Sequence, residues 1–155
     1  MKTDFFRIDY LPTEAINQDD VNFFYFDVGI DNISGFPSIY IWDKVVNDFK
    51  EKFTISTYSK DENLGNYEDN IIKFVVADNE NECESFYRHL RNAFCHYHIA
   101  RQLDYFLIRD INSTTKKVRM IGKVKADDLK QFCFAFFNQR EAILAKLENL
   151  NNQIL

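Results

Sequence analysis

The run Tyr87-Arg88-His89-Leu90-Arg91-Asn92-Ala93-Phe94-Cys95-His96-Tyr97-His98 gathers two arginines, one amide and three histidines. Read as a helix with His89 at 0°, it places Arg91 near about 200°, Arg88 near 260°, Asn92 near 300° and His96 near 340°. Phe86, Leu90, Ala93 and Tyr97 centre on the opposite arc, at about 70–80°. Four polar side chains therefore share the arc away from the core, with Asn92 and His96 as a direct i,i+4 pair. His98 falls about 200° round from His96, so the two do not face one site and His98 reads as structural.

Arginine, amide and histidine on one exposed arc suit phosphodiester cleavage. A planar, permanently charged guanidinium clamps non-bridging phosphate oxygens. An imidazole exchanges protons near neutral pH. RNA carries its own nucleophile in the 2′-OH, so such a site needs no metal or other cofactor. Arg91, Asn92 and His96 are the candidate catalytic residues, and Arg88 and His89 candidate contacts to the nucleic acid. One helix supplies no second acid or base, but two copies packed through this helix would supply it by symmetry. A zinc site built from Cys95, His98 and His89 is disfavoured, because the spacing suggests no fourth ligand. Cys83, Cys95 and Cys133 form neither an even disulfide set nor a CxxC pair.

The net charge of −5 is unevenly spread. Ser85 to Lys125 holds nine basic residues against Asp104 and Asp110, so this window is +7 and the remainder −12. A basic segment in an acidic protein is where an anionic ligand would go; the other reading is a solvated basic face that offsets the acidic remainder. Lys116, Lys117, Arg119, Lys123 and Lys125 extend the basic character beyond the histidine segment, either holding RNA backbone or blunting a strand edge.

The elements that must position these groups are read from periodicity. Ile16, Val21, Phe24, Tyr25 and Val28 recur at helical spacing up to Gly29, though Val21–Ile30 also fits a strand. Ser38 caps a helix carrying Ile39, Trp42, Val45, Val46, Phe49 and Phe53. After a polar turn at Asp61–Asn66, the core Ile71–Val76 of the segment Tyr67–Ala77 fits a helix or a buried strand, and the segment is read as helix. Asn81 ends a break, and a long helix runs from about Glu82 to Leu103 without Gly or Pro. Tyr105–Asp110 and Val118–Val124 form a hairpin turning near Asn112-Ser113. Ala126-Asp127-Asp128 opens a last helix with a stripe from Leu129 through Phe132, Phe136 and Ile143 to Leu150.

The expected fold is therefore mainly α: a helical bundle with one β-hairpin inserted before the C-terminal helix, forming a single domain over residues 1–155. No apolar run is long enough for a membrane span. The start, Met1 to Asp9, is too interrupted by charge for a signal segment, so the cytoplasm is the expected location.

Arg91-Asn92-Ala93-Phe94-Cys95-His96 resembles the R-x4–6-H signature of HEPN domains, in which a polar residue, often Asn, follows the Arg. The resemblance implies a metal-independent endoribonuclease working as a homodimer, with motifs from two subunits forming one cleft and Arg91, Asn92 and His96 as its functional residues. It also implies a toxin–antitoxin or phage-defence setting, with a possible antitoxin partner. The alternative is a non-catalytic HEPN module that binds RNA, a nucleotide or a protein. A small residue commonly follows the motif His. Here it is Tyr97, whose ring is expected to pack towards the core.

Overall fold

The structure is a computed structural model and describes residues 13–154; the readings made for Met1–Asp9 lie outside it. Helices pack against a six-stranded mixed sheet ordered β1-β4-β5-β6-β3-β2. The strands are β1 (Glu14–Ala15), β2 (Thr54–Tyr58), β3 (Ile71–Val75), β4 (Ile99–Gln102), β5 (Tyr105–Ile111) and β6 (Val118–Lys125). The helices are α1 (Gln18–Asn22), which runs on into a π-helical turn Phe23–Asp27, then α2 (Ser38–Asp48), α3 (Glu82–Cys95) and α4 (Ala126–Ile154). Among the described strands β2 and β3 pair in parallel, in the register Thr54 opposite Ile71, and the other strand pairs are antiparallel.

This α/β architecture replaces the expected helical bundle: β1 and β2 lie where no element was expected, and two further segments form strands where helix was expected. Ile71-Ile72-Lys73-Phe74-Val75 is a strand, where Tyr67–Ala77 was expected to be helical. The strand lies between β2 and β6 and is covered on both faces, so it carries a continuous apolar run whose periodicity is that of a buried helix segment. Ile72 and Phe74 join the main core, while Val75 packs with Leu64 and Ile121 on the other face. Lys73 is buried too, with its ammonium satisfied by Glu68 and by the Leu64 and Asn66 carbonyls at 3.1 and 3.0 Å. The second segment is the stretch expected to carry the long helix to Leu103. The helix ends at Cys95, and Ile99–Gln102 returns as β4.

Trp42 of α2 organises the core. Its indole lies within 6.5 Å, centroid to centroid, of Phe74, Phe86, Tyr87, Phe132 and Phe136. These rings come from β3, α3 and α4, so one side chain locks three elements through edge and tilted aromatic contacts. Its Nε1–H donates to Glu82 at 3.0 Å, satisfying the polar end. Ser38 is the first residue of α2 and not its cap, and its hydroxyl donates to the Ile33 carbonyl. The β5–β6 hairpin turns where expected: Asn112 Oδ1 accepts from the backbone N–H of Thr114 and Thr115, both at 2.9 Å. In α4 the buried positions run from Ala126 to Phe136, and Leu150 is exposed.

Candidate functional site

Helix α3 begins with a capping box. Asn81 Oδ1 accepts from the Glu84 N–H at 2.9 Å, and Glu84 returns the bond to the Asn81 N–H at 3.1 Å. The helix buries Phe86, Leu90, Ala93 and Phe94, as its periodicity predicts. It ends in a Schellman motif: the His98 N–H reaches the Ala93 carbonyl at 2.8 Å and the Tyr97 N–H reaches Phe94 at 3.3 Å. Tyr97 occupies the left-handed position, φ +58°, that glycine normally fills. Its side chain is 87% exposed, so it does not pack towards the core as expected. The chain reversal also brings the His98 ring to 6.1 Å from that of His96, overturning the expectation that the two diverge. Burial, with His96 beside it, lowers the His98 pKa below the ordinary histidine value.

Tyr97→Gly is expected to stabilise the fold by about 0.5–1 kcal/mol. The left-handed strain removed, roughly 1–2 kcal/mol, exceeds the extra unfolded-state entropy of glycine, and an exposed ring forfeits little packing. A melting curve 1–4 °C above wild type, at roughly 2–4 °C per kcal/mol, checks this.

Beside the end of α3 lies a cleft of about 490 Å³, within the range of small-ligand sites. Arg88, His89, Asn92 and His96 line it from α3, with Asp110 from β5, Arg119 from β6, and Lys60 and Asp78 from loops. In its floor His89 is 2% exposed and Asp110 5%. His89 Nδ1 lies 2.7 Å from Asp110 Oδ2, and Nε2 lies 2.8 Å from the Val75 carbonyl. The two ring nitrogens thus meet a carboxylate on β5 and a backbone carbonyl on β3. Asn92 Nδ2 approaches the same Asp110 oxygen at 3.5 Å. One carboxylate thus ties two positions of α3 to the sheet. A larger cavity, about 790 Å³, lies on the other side of the α3 terminus against Tyr25, Phe94, Tyr97 and Ile99. It contains neither histidine nor arginine, so the candidate chemistry belongs to the smaller cleft.

Of the residues singled out from sequence, Arg88, His89, Asn92 and His96 come together in this cleft, and Arg91 does not. His96 is exposed, and its backbone N–H is held by the Asn92 carbonyl at 3.0 Å. Arg91 turns to a separate small cavity with Glu80, Glu84 and Asp31. Arg88 is anchored, donating from Nε and Nη2 to both oxygens of Glu80 at 2.8–3.0 Å. That pairing holds the Glu80 carboxyl below its usual range. His89, expected as a surface contact to nucleic acid, is instead interior, with both ring nitrogens engaged.

The basic window is partly spent inside the fold. Arg101 pairs with Asp20 at 2.9 Å and Lys123 with Asp69 at 2.8 Å. Arg119 remains on the cleft, reaching the Lys60 carbonyl at 3.4 Å.

Sequence reasoning missed Asp110. The available signal was strand alternation: Phe106 and Ile108 face the helices, and an acid two residues further on must face them as well. A buried acid on that face needs a partner, and α3 supplies His89. Among the described residues no group of three His, Cys, Asp or Glu is placed to hold a metal. The three cysteines are free, and burial pushes the Cys83 thiol up to about 12, far from a reactive thiolate.

The family profile described as HEPN pEK499 p136 matches residues 11–144, so the chain belongs to this HEPN family. Neither the curated proteins nor the solved structures gave a match to the chain. The match spans nearly the whole sheet and helix layer, so this member of the family has an α/β fold. Among the described residues no helix is long and apolar enough to cross a membrane.

Proposed function

We propose that the protein is a metal-independent endoribonuclease whose complete site forms between two copies of the chain. The observation that carries this reading is the pairing of Asn92 and His96 on the wall of a nucleotide-sized cleft that also holds Arg119 and Lys60. Neutral His96 takes the proton of a ribose 2′-OH. The 2′ oxygen bonds to the adjacent phosphorus, the P–O5′ bond breaks, and the 5′ oxygen leaves with a proton from a second acid. The products are a 2′,3′-cyclic phosphate and a 5′-hydroxyl, with no water or metal consumed. Arginine stabilises the added charge on phosphorus, the kind of electrostatic effect that carries much of enzymatic rate acceleration.

Arg91 and His96 lie on different cavities of one protomer, so a site using both draws Arg91 from the second copy. The second copy's imidazole is then the leaving-group acid. A toxin–antitoxin or phage-defence role, with an antitoxin protein restraining the cleavage, belongs to the same reading.

Cleavage of a mixed RNA pool in excess EDTA tests it. Wild type is expected to cleave, and Arg91→Ala and His96→Ala each to be inactive. Adding the inactive Arg91→Ala/His96→Ala double variant to wild type should lower activity below the share of wild-type chains, because a mixed dimer keeps one imidazole and one arginine only. Activity in proportion to the wild-type chains would mean that each subunit cleaves on its own. No cleavage by wild type would favour the alternative, a module that binds RNA, a nucleotide or a protein without turnover. The engagement of Arg88 by Glu80 is the observation on that side.

A further inference from the structure

We propose that Asp110, backed by His89, is a positioning residue that sets the orientation of Asn92, so that Asn92 meets a hydrogen-bond donor on the nucleotide and not a phosphate oxygen. The inference rests on the ribonucleotide reading of the cleft and adds the chemistry of one contact. Asp110 Oδ2 faces His89 Nδ1 at 2.7 Å and Asn92 Nδ2 at 3.5 Å. A carboxylate accepts only, so it selects the NH₂ end of the Asn92 amide. The Asn92 carbonyl oxygen is then the end presented away from Asp110, on a residue that lines the cleft. No hydrogen bond within the described residues uses that oxygen. Phosphate oxygens are acceptors at neutral pH and gain nothing there. A ribose hydroxyl or an exocyclic base amine does.

The His89–Asp110 pair makes the orientation stiff. Asp110 is buried on the sheet face that carries Phe106 and Ile108, and His89 is fixed at its far nitrogen by the Val75 carbonyl at 2.8 Å. Turning the Asn92 amide over would set its carbonyl against a carboxylate in a nearly water-free floor, where such an opposition is costly. The cleft therefore tells nucleotides apart by what they donate, and the residue that enforces this lies on β5, outside the six-residue motif.

The test uses the full chain carrying His96→Ala, which prevents turnover during binding. Fluorescence anisotropy compares labelled oligouridylate, oligodeoxyuridylate and oligocytidylate. In the His96→Ala parent, oligouridylate should bind about 5- to 30-fold tighter than its deoxy form if a ribose hydroxyl is the donor, as one hydrogen bond of roughly 1–2 kcal/mol requires. A preference for oligocytidylate over oligouridylate would assign the base amine instead. Adding Asn92→Ala should erase whichever preference is seen. Adding Asp110→Ala, which removes the acceptor, should erase it too without touching the ligand.

Equal weakening of all three oligonucleotides by Asn92→Ala would make Asn92 a phosphate contact and overturn the proposal. A preference that survives Asp110→Ala would overturn the positioning role. If Asp110→Ala does not fold, the Asn92→Ala comparison still decides which group Asn92 meets. Failure of the parent to bind any of the three would remove the ribonucleotide reading itself. Wild type that cleaves RNA while Asn92→Ala leaves the preference intact would sink only this inference.

Discussion

His96→Ala is expected to slow RNA cleavage by more than about 10²- to 10⁴-fold, the usual contribution of one positioned proton-transfer group, because in the dimer it removes both the base and the leaving-group acid. The fold should not register the change. The side chain is exposed at the end of α3, and the terminus is held by backbone bonds from His96 to Asn92 and from His98 to Ala93, which alanine keeps. An exposed substitution of this kind stays within about 0.5 kcal/mol, or about 1–2 °C in melting temperature. A large loss of rate at constant stability separates a catalytic imidazole from a structural one. Paired thermal melts and single-turnover rates on the same preparations measure both.

The largest expected effect on stability lies far from the cleft. Asp20 is 1% exposed and accepts from Arg101 Nε and Nη2 at 2.9 and 3.0 Å and from Lys130 Nζ at 2.6 Å. It joins α1 to β4 and α4, holding the N-terminal layer on the sheet. Burial alone would raise its pKa, but the two cations outweigh that and hold it below the ordinary carboxylate value. Asp20→Ala strands two cations. Removing one partner of a buried pair costs roughly 3–5 kcal/mol, and Arg101 and Lys130, each about a quarter exposed, recover part of this by hydration. About 2–3 kcal/mol remains, or a melting temperature lower by roughly 4–12 °C.

The same carboxylate sets an acid limit. Its folded pKa lies below the unfolded value of about 3.9, so its contribution is complete above that pH and fades as pH falls through the folded value. Wild type should lose stability steeply below about pH 4, and Asp20→Ala should show a shallower slope there. Urea midpoints between pH 3 and 7 check both.

Local rules in the sequence locate α3, the β5–β6 hairpin and α4, because in each the periodicity, caps and turn residues agree. Asn81 with Glu84, Asn112 in its turn, and Asp127 with Asp128 at the start of α4 are residues whose chemistry names their position. The rest of the sheet lacks such markers. Tyr97 and Leu103 turn the chain into and out of β4 at φ +58° and +57°, a conformation for which glycine is the usual signal. Tyr97 and Ala100 sit at spacings that extend the helical stripe, so a helix to Leu103 reads naturally up to the point where tertiary pairing with β5 overrides it. In β3 the deciding feature was composition, Ile, Ile and Val in five residues, and not period.

The site divides in the same way. The closeness of Asn92 and His96 is a property of one helix and is visible in spacing alone. The withdrawal of His89 into the floor, and the separation of Arg91 from the cleft, depend on where β3 and β5 lie against α3. No spacing within α3 contains that information.

The most direct measurement is the mass of the fragments made from one defined RNA in excess EDTA, by wild type and by His96→Ala at matched purity. Wild type should give a 5′ fragment ending in a 2′,3′-cyclic phosphate and a 3′ fragment beginning with a free 5′-hydroxyl, and His96→Ala should give neither. Fragments bearing a 5′-phosphate, or equal cleavage by both proteins, would contradict 2′-OH attack assisted by His96 and place the chemistry elsewhere.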